Sequence, residues 1–170
     1  MQYKRNAKLG SIALALSLML ASSAWAQEEA TEDLTKAEVQ EMYSSYLADE
    51  GYRPHVDSDG DVVFKHESKT YFVAVREDDP DYFTVVLPNF WEIENERERL
   101  QVLIAADEAN AKSKVAKVFI IKDNTWAAIE LFLSKPEGFK GVFPRSLRAI
   151  DNAVGNFTKK MQELSDESID

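Results

Sequence analysis

The sequence contains no cysteine. Disulfides, thiolate metal sites and cysteine nucleophiles are therefore excluded. Basic residues are the minority, with 20 Lys+Arg against 30 Asp+Glu and a formal net charge of −10 over 170 residues. Non-specific nucleic-acid binding needs cations to neutralise phosphates, so this balance argues against it. Histidine is scarce: His55 and His66 are the two in the chain, and neither lies in a His-Glu-x-x-His pattern. Ser58, Ser68 and Ser134 sit in no Gly-x-Ser-x-Gly setting, and no glycine-rich phosphate loop occurs. No internal repeat is visible. What remains is 45% hydrophobic, an ordinary globular composition at a length that allows one domain.

The first 26 residues read as an address. Lys4, Arg5 and Lys8 form a basic n-region. An apolar stretch follows from Leu9 to Leu20, broken by Gly10, Ser11 and Ser17, and Ala24-Trp25-Ala26 supplies a small-x-small cleavage pattern. This is the order of a secretory signal peptide cleaved after Ala26, and its apolar run is short for a permanent membrane anchor. No cysteine follows for lipidation, and no paired arginine precedes for a twin-arginine route. The expected location is the periplasm, with no stable membrane anchor after cleavage. That segment carries three basic and no acidic residues, so the remaining 144 residues have a net charge of −13.

Four segments are expected: a signal peptide over 1–26, a disordered acidic leader over 27–34, an α+β domain over 35–164 and an acidic tail over 165–170. The first helix starts at Thr35, whose spacing to Glu38 is that of a capping box. Val39, Met42, Tyr43, Tyr46 and Leu47 share one helical face, and Gly51 supplies a stop. Strands are predicted over Tyr52 to Val56, Asp61 to Lys65, Tyr71 to Val75 and Tyr82 to Leu87, with an Asp-Gly hairpin turn at residues 57–60. A second helix is predicted from Asn89, again with capping-box spacing to Glu92. Its expected core face is Ile93, Leu100, Leu103 and Ile104. Two further strands cover Lys117 to Ile121 and Trp126 to Leu133. After a loop from Ser134 to Gly141, Pro144 suits the first turn of a last helix. That helix carries Leu147, Ile150, Val154, Phe157, Met161 and Leu164 as a regular stripe. The stripe either covers the sheet, which is favoured, or forms a helix–helix seam between two copies.

The resulting order, α-ββββ-α-ββ-α, predicts an α+β fold with a largely antiparallel sheet of about five or six strands and helices packed on one face. Several stretches then carry a family resemblance. They are Tyr46-Leu47-Ala48-Asp49-Glu50-Gly51-Tyr52, Asp59-Gly60-Asp61-Val62-Val63-Phe64, Lys69-Thr70-Tyr71-Phe72-Val73, Asp78-Asp79-Pro80-Asp81-Tyr82-Phe83, Pro88-Asn89-Phe90-Trp91 and Ala105-Ala106-Asp107-Glu108-Ala109-Asn110 before Lys117-Val118. Together they resemble the YbjN-like family, over roughly residues 37 to 162. The resemblance implies a type III secretion chaperone-like fold and a dimer-forming, protein-binding module. It implies no catalytic motif.

His55 and His66 read as structural or surface side chains. Asp57, Asp59 and Asp61 resemble a calcium loop, but an EF-hand needs its glycine two positions after Gly60 and a glutamate where Ser68 stands, so the hairpin is preferred. Glu92 to Arg99 reads as a solvated helix face with local ion pairs. Phe90 and Trp91 read as a hydrophobic staple or core pair, and Phe139 and Phe143 as core. No catalytic, cofactor-binding or metal residue is assigned. The leading expectation is a non-catalytic, periplasmic protein- or peptide-binding, chaperone-like module, whose acidic surface favours basic partners. A homodimer through the last helix is a separate expectation, motivated by the stripe and by the family resemblance. The alternatives are a hydrolase that uses paired carboxylates on a cell-envelope glycan, and a small-ligand or cation sensor.

Overall fold

Thr35 opens the first helix as the spacing predicts. Its side chain accepts from the Glu38 N–H, and the Glu38 carboxylate accepts from the Thr35 N–H at 2.8 Å, closing a capping box. The computed structural model describes residues 34–166. The expected signal peptide, residues 27–33 of the expected leader and residues 167–170 of the expected tail lie outside the described residues. Leu34, assigned to the leader, packs against the core, and Ser165 and Asp166, assigned to the tail, continue the last helix.

The elements run α1 (Lys36–Asp49), β1 (His55–Val56), β2 (Val62–His66), β3 (Lys69–Val73), β4 (Tyr82–Glu92), α2 (Glu96–Lys112), β5 (Ala116–Ile121), β6 (Asn124–Phe132) and α3 (Phe139–Asp166). The six strands form one sheet in the order β1-β2-β3-β4-β6-β5, and every pairing is antiparallel. Three helices pack against it, which is the α+β architecture expected from the element order. Among the described residues, no helix is long and apolar enough to cross a membrane.

The core lies between the helices and one sheet face. Val62, Phe64, Tyr71, Val73, Phe83, Val85, Leu87, Val118, Ala127 and Ile129 supply the sheet side. The register sets a second row, Val63, Phe72, Val86, Ala128 and Lys117, on the opposite face. There Phe72 and Phe119 flank Trp126, with ring centroids 6.1 and 6.4 Å away. Val86 and Ala128 are buried on that face without joining the helix-side core.

The second helix departs from expectation. It starts at Glu96, not near Asn89, and its cap is Asn95, whose side chain accepts from the Glu98 N–H at 3.0 Å. Asn89 and Asn95 each have a Glu three residues on, so spacing alone could not separate them. Asn89 instead has φ +49 inside β4, where the register slips between Leu87 and Trp91. Pro88 cannot donate to a ladder, and the chain absorbs it in a bulge. Of the predicted core face, Ile93 is buried in the core, ahead of the helix, and the other three residues are not. Leu100, Leu103 and Ile104 are 63%, 51% and 50% exposed, while Val102, Ala105, Ala106 and Ala109 are buried. The small side chains let α2 approach its neighbours closely, and the larger aliphatics turn outward.

The last helix also starts earlier than predicted. A 3₁₀ turn over Pro136–Gly138 runs directly into α3 at Phe139, so Pro144 sits inside the helix. Proline has no N–H, which orphans the carbonyl of Lys140 four residues before it. The Tyr46 hydroxyl of α1 donates to that carbonyl at 3.4 Å. Phe139 and Phe143 therefore enter the core as helical residues. Along the stripe, Leu147, Ile150, Phe157 and Met161 are buried, and Val154 packs beside them.

This bond yields a prediction. Tyr46→Phe should destabilise the domain by about 1 kcal/mol in urea unfolding. In a Pro144→Ala background the helix can satisfy Lys140 itself, so the same substitution should cost measurably less. Equal costs in both backgrounds would contradict the assignment.

Candidate functional site: a basic groove beside the last helix

The site begins where α2 ends. Ser113 caps the helix in an extended conformation, φ −90 and ψ 145, and the chain turns into β5 at Ala116. β5 is an outer strand of the sheet. Its free edge is clipped by Asn110: the side-chain amide donates to the Val118 carbonyl at 3.0 Å, and the Val118 N–H donates to the amide oxygen at 2.7 Å. Backbone groups alternate along an antiparallel strand, so those of Ala116, two residues earlier, turn to the same free edge as those of Val118.

Opposite this edge, α3 presents Val142, Arg145, Ser146, Ala149, Asn152 and Asn156 at spacings of one to four residues, which places them on one side of the helix. With Leu131 of β6 and the segment 112–116, they bound a groove of about 510 Å³. Its floor is apolar, formed by Ala116, Leu131, Val142 and Ala149. Its rim is cationic, with Lys112, Lys114 and Arg145, and none of the lining residues is acidic. The Lys112 ammonium is paired with Glu108 at 2.6 Å, and Lys160 approaches the same carboxylate at 3.5 Å. The hydrogen bond from Lys112 holds the Glu108 carboxyl below its ordinary range. Among the described residues, Lys114 and Arg145 have no ion-pair partner, and the side-chain amides of Asn152 and Asn156 have no hydrogen-bond partner. The Ser146 hydroxyl is spent on the Val142 carbonyl at 3.0 Å.

The sequence marks Lys112 and Lys114 only as dipole-consistent cations at the end of the second helix, and marks no residue of this groove as a site. Lys112, Lys114 and Lys117 on one side and Arg145 and Arg148 on the other are local concentrations of cation in an acidic chain. That clustering was the available signal.

The residues that were singled out serve mostly structural ends. The Asp57 carboxylate accepts from the N–H groups of Asp59, Gly60 and Asp61 at 2.9 to 3.0 Å, and Asp61 accepts from Val75 N–H at 2.9 Å. Asp57 thus builds the hairpin turn, and Asp61 ties its end to the chain beyond β3. Phe90 and Trp91 lie in β4 instead of at a helix start, and both rings meet Phe157 edge-on, at 5.2 and 5.6 Å. Phe139 and Phe143 are buried. Within the stretch 92–99, Arg99 clamps the β5–β6 turn through Asp123 at 2.5 Å and the Lys122 carbonyl at 3.2 Å. Glu98 and Glu94 lie by a second concavity of about 400 Å³. The Glu98 carboxylate there is committed to the Trp91 indole N–H at 3.0 Å and the Glu94 N–H at 2.7 Å.

His55 is exposed on β1. His66 lies half-buried at the end of β2, against the rings of Tyr52 and Tyr71. His66, Glu67 and Asp151 bring potential ligand atoms within 4.8 Å of one another, and this trio could hold a divalent cation. Asp151 already receives the Lys69 ammonium at 2.9 Å and the Tyr71 hydroxyl at 3.2 Å. The ammonium neutralises the carboxylate that an ion would need.

Buried tyrosines give the domain a pH dependence. Burial pushes the Tyr43 hydroxyl up to about 12, and burial followed by the Asp151 carboxylate pushes Tyr71 up as well. A raised folded-state pKa means the fold prefers the neutral phenol. That contribution is complete below about pH 10, the unfolded value, and is lost as pH rises through about 12. Alkaline unfolding followed by circular dichroism should therefore begin above about pH 10. Tyr43→Phe should shift its midpoint upward, and an unchanged midpoint would contradict the account.

Compared with family models, curated proteins and solved structures, the chain matches none.

Proposed function

We propose that this chain is an exported, periplasmic, non-catalytic module that binds a protein or peptide segment in the groove between α3 and the start of β5. One observation carries the reading: the groove combines an apolar floor with unpaired side-chain amides and unpaired cations along its rim. Apolar pockets with a few convergent polar groups are the usual form of a binding site. A side-chain amide offers a donor and an acceptor together, which complements a peptide unit. Asn152 and Asn156 are one helical turn apart and present two such pairs in succession. The element order and the resemblance to YbjN-like, secretion chaperone-like proteins are consistent with a binding role.

The same features disfavour the open sheet edge as the main seat. β1 is two residues long, and Asn110 takes the outward backbone groups of Val118 on β5. An added strand could engage only the outward groups of Ala116 and Ile120, on either side of the blocked Val118. A homodimer through α3 is not part of the proposal, because the apolar stripe of that helix faces its own core. A hydrolase using paired carboxylates finds no acidic residue in the groove.

Selection of a random peptide library on the full chain tests this reading. Enriched peptides should bind, and Ala149→Trp, which fills the groove floor from the helix surface, should abolish their binding while leaving the thermal midpoint near that of the wild type. Peptides that bind the Ala149→Trp variant equally well, or a library that yields no enrichment, would overturn it.

A further inference from the structure

The overall charge and the local charge point to opposite partners. With a net charge of −10, or −13 without the first 26 residues, the chain as a whole attracts basic molecules. At the groove the sign reverses. Lys114 and Arg145 face it from two different segments without a carboxylate partner, and no acidic side chain lines it; Lys112 beside them is held in its pair with Glu108. Beyond a Debye length of about 10 Å at 0.1 M salt the distant acidic residues are screened, so contact selectivity belongs to the groups on the rim.

We infer that the occupant of the groove is a peptide segment with an apolar anchor flanked by acidic side chains. This rests on the binding reading above and adds the chemistry of the partner. The apolar residue of the segment seats on Ala116, Leu131 and Ala149. Its carboxylates meet Arg145, whose planar guanidinium can take them with two parallel hydrogen bonds, and Lys114, which acts as a mobile point charge. The amides of Asn152 and Asn156 take up its backbone. A basic segment with the same apolar anchor would place like charges beside Arg145 and Lys114, so the groove rejects it in spite of the chain's overall negative charge.

The test uses three fluorescent peptides of identical apolar sequence whose flanking positions carry Glu, Gln or Lys, titrated into the full chain by anisotropy. The Glu peptide should bind at least about tenfold more tightly than the Lys peptide, with the Gln peptide between them. Arg145→Glu and Lys114→Glu each alter an exposed side chain and should each reverse or erase that order with little change in folding. If the Lys or Gln peptide binds as tightly as the Glu peptide and Ala149→Trp still abolishes binding, the charge assignment falls and the groove remains a binding site. If Ala149→Trp leaves the binding of all three unchanged, both fall.

Discussion

The position of α3 depends on aromatic packing at two separated points, its N-terminal turns and Phe157, and the groove depends on α3. At the N-terminal end, Phe139 packs edge-on against Tyr43 at 4.8 Å and Tyr46 at 5.0 Å, and Phe143 packs against Tyr46 and Phe64 at 5.5 and 5.6 Å. Further along, Phe157 is held by Phe90 and Trp91. Edge-to-face pairs of this kind contribute about 0.5–1.5 kcal/mol each beyond the area they bury. A 28-residue helix spans about 42 Å and is fixed at two separated points, so it cannot roll or slide on the sheet. Its flank then stands at a constant distance from the Lys112–Ala116 segment, and that separation is the groove.

The same constraint explains two irregularities. Pro144 interrupts the first turns of α3, yet the helix continues because Tyr46, already pinned against Phe139 and Phe143, brings its hydroxyl to the orphaned Lys140 carbonyl. The β4 bulge at Pro88 and Asn89 carries Phe90 and Trp91 to Phe157. In each case a break in regular backbone structure is tied to an aromatic contact that fixes α3.

Much of this fold was legible in the sequence, and the reasons differ by element. The α1 start was readable because a capping box is local: Thr35 and Glu38 need only each other. The sheet was readable because its turns carry their own chemistry, as Asp57 does by accepting three backbone N–H groups. The α2 start was not readable, since Asn89 and Asn95 present the same local spacing and tertiary packing of Phe90 and Trp91 decides between them. The α2 face was misread because hydrophobic size suggested Leu100, Leu103 and Ile104, whereas close helix packing selected Ala105, Ala106 and Ala109. The groove was hidden for a further reason. Lys114 and Arg145 are 31 positions apart in the chain and meet only because α3 is laid beside the edge of the sheet.

The central claim is that this aromatic clamp presents a rigid, basic-rimmed groove as the binding surface. Hydrogen–deuterium exchange on the full chain, with and without a saturating acidic peptide, tests it most directly. The account predicts added protection at residues 112–118 and along 142–156, with no change at the outward Leu100–Ile104 face of α2 or on the open sheet face around Trp126. Protection confined to either of those surfaces, with the groove unchanged, would contradict it.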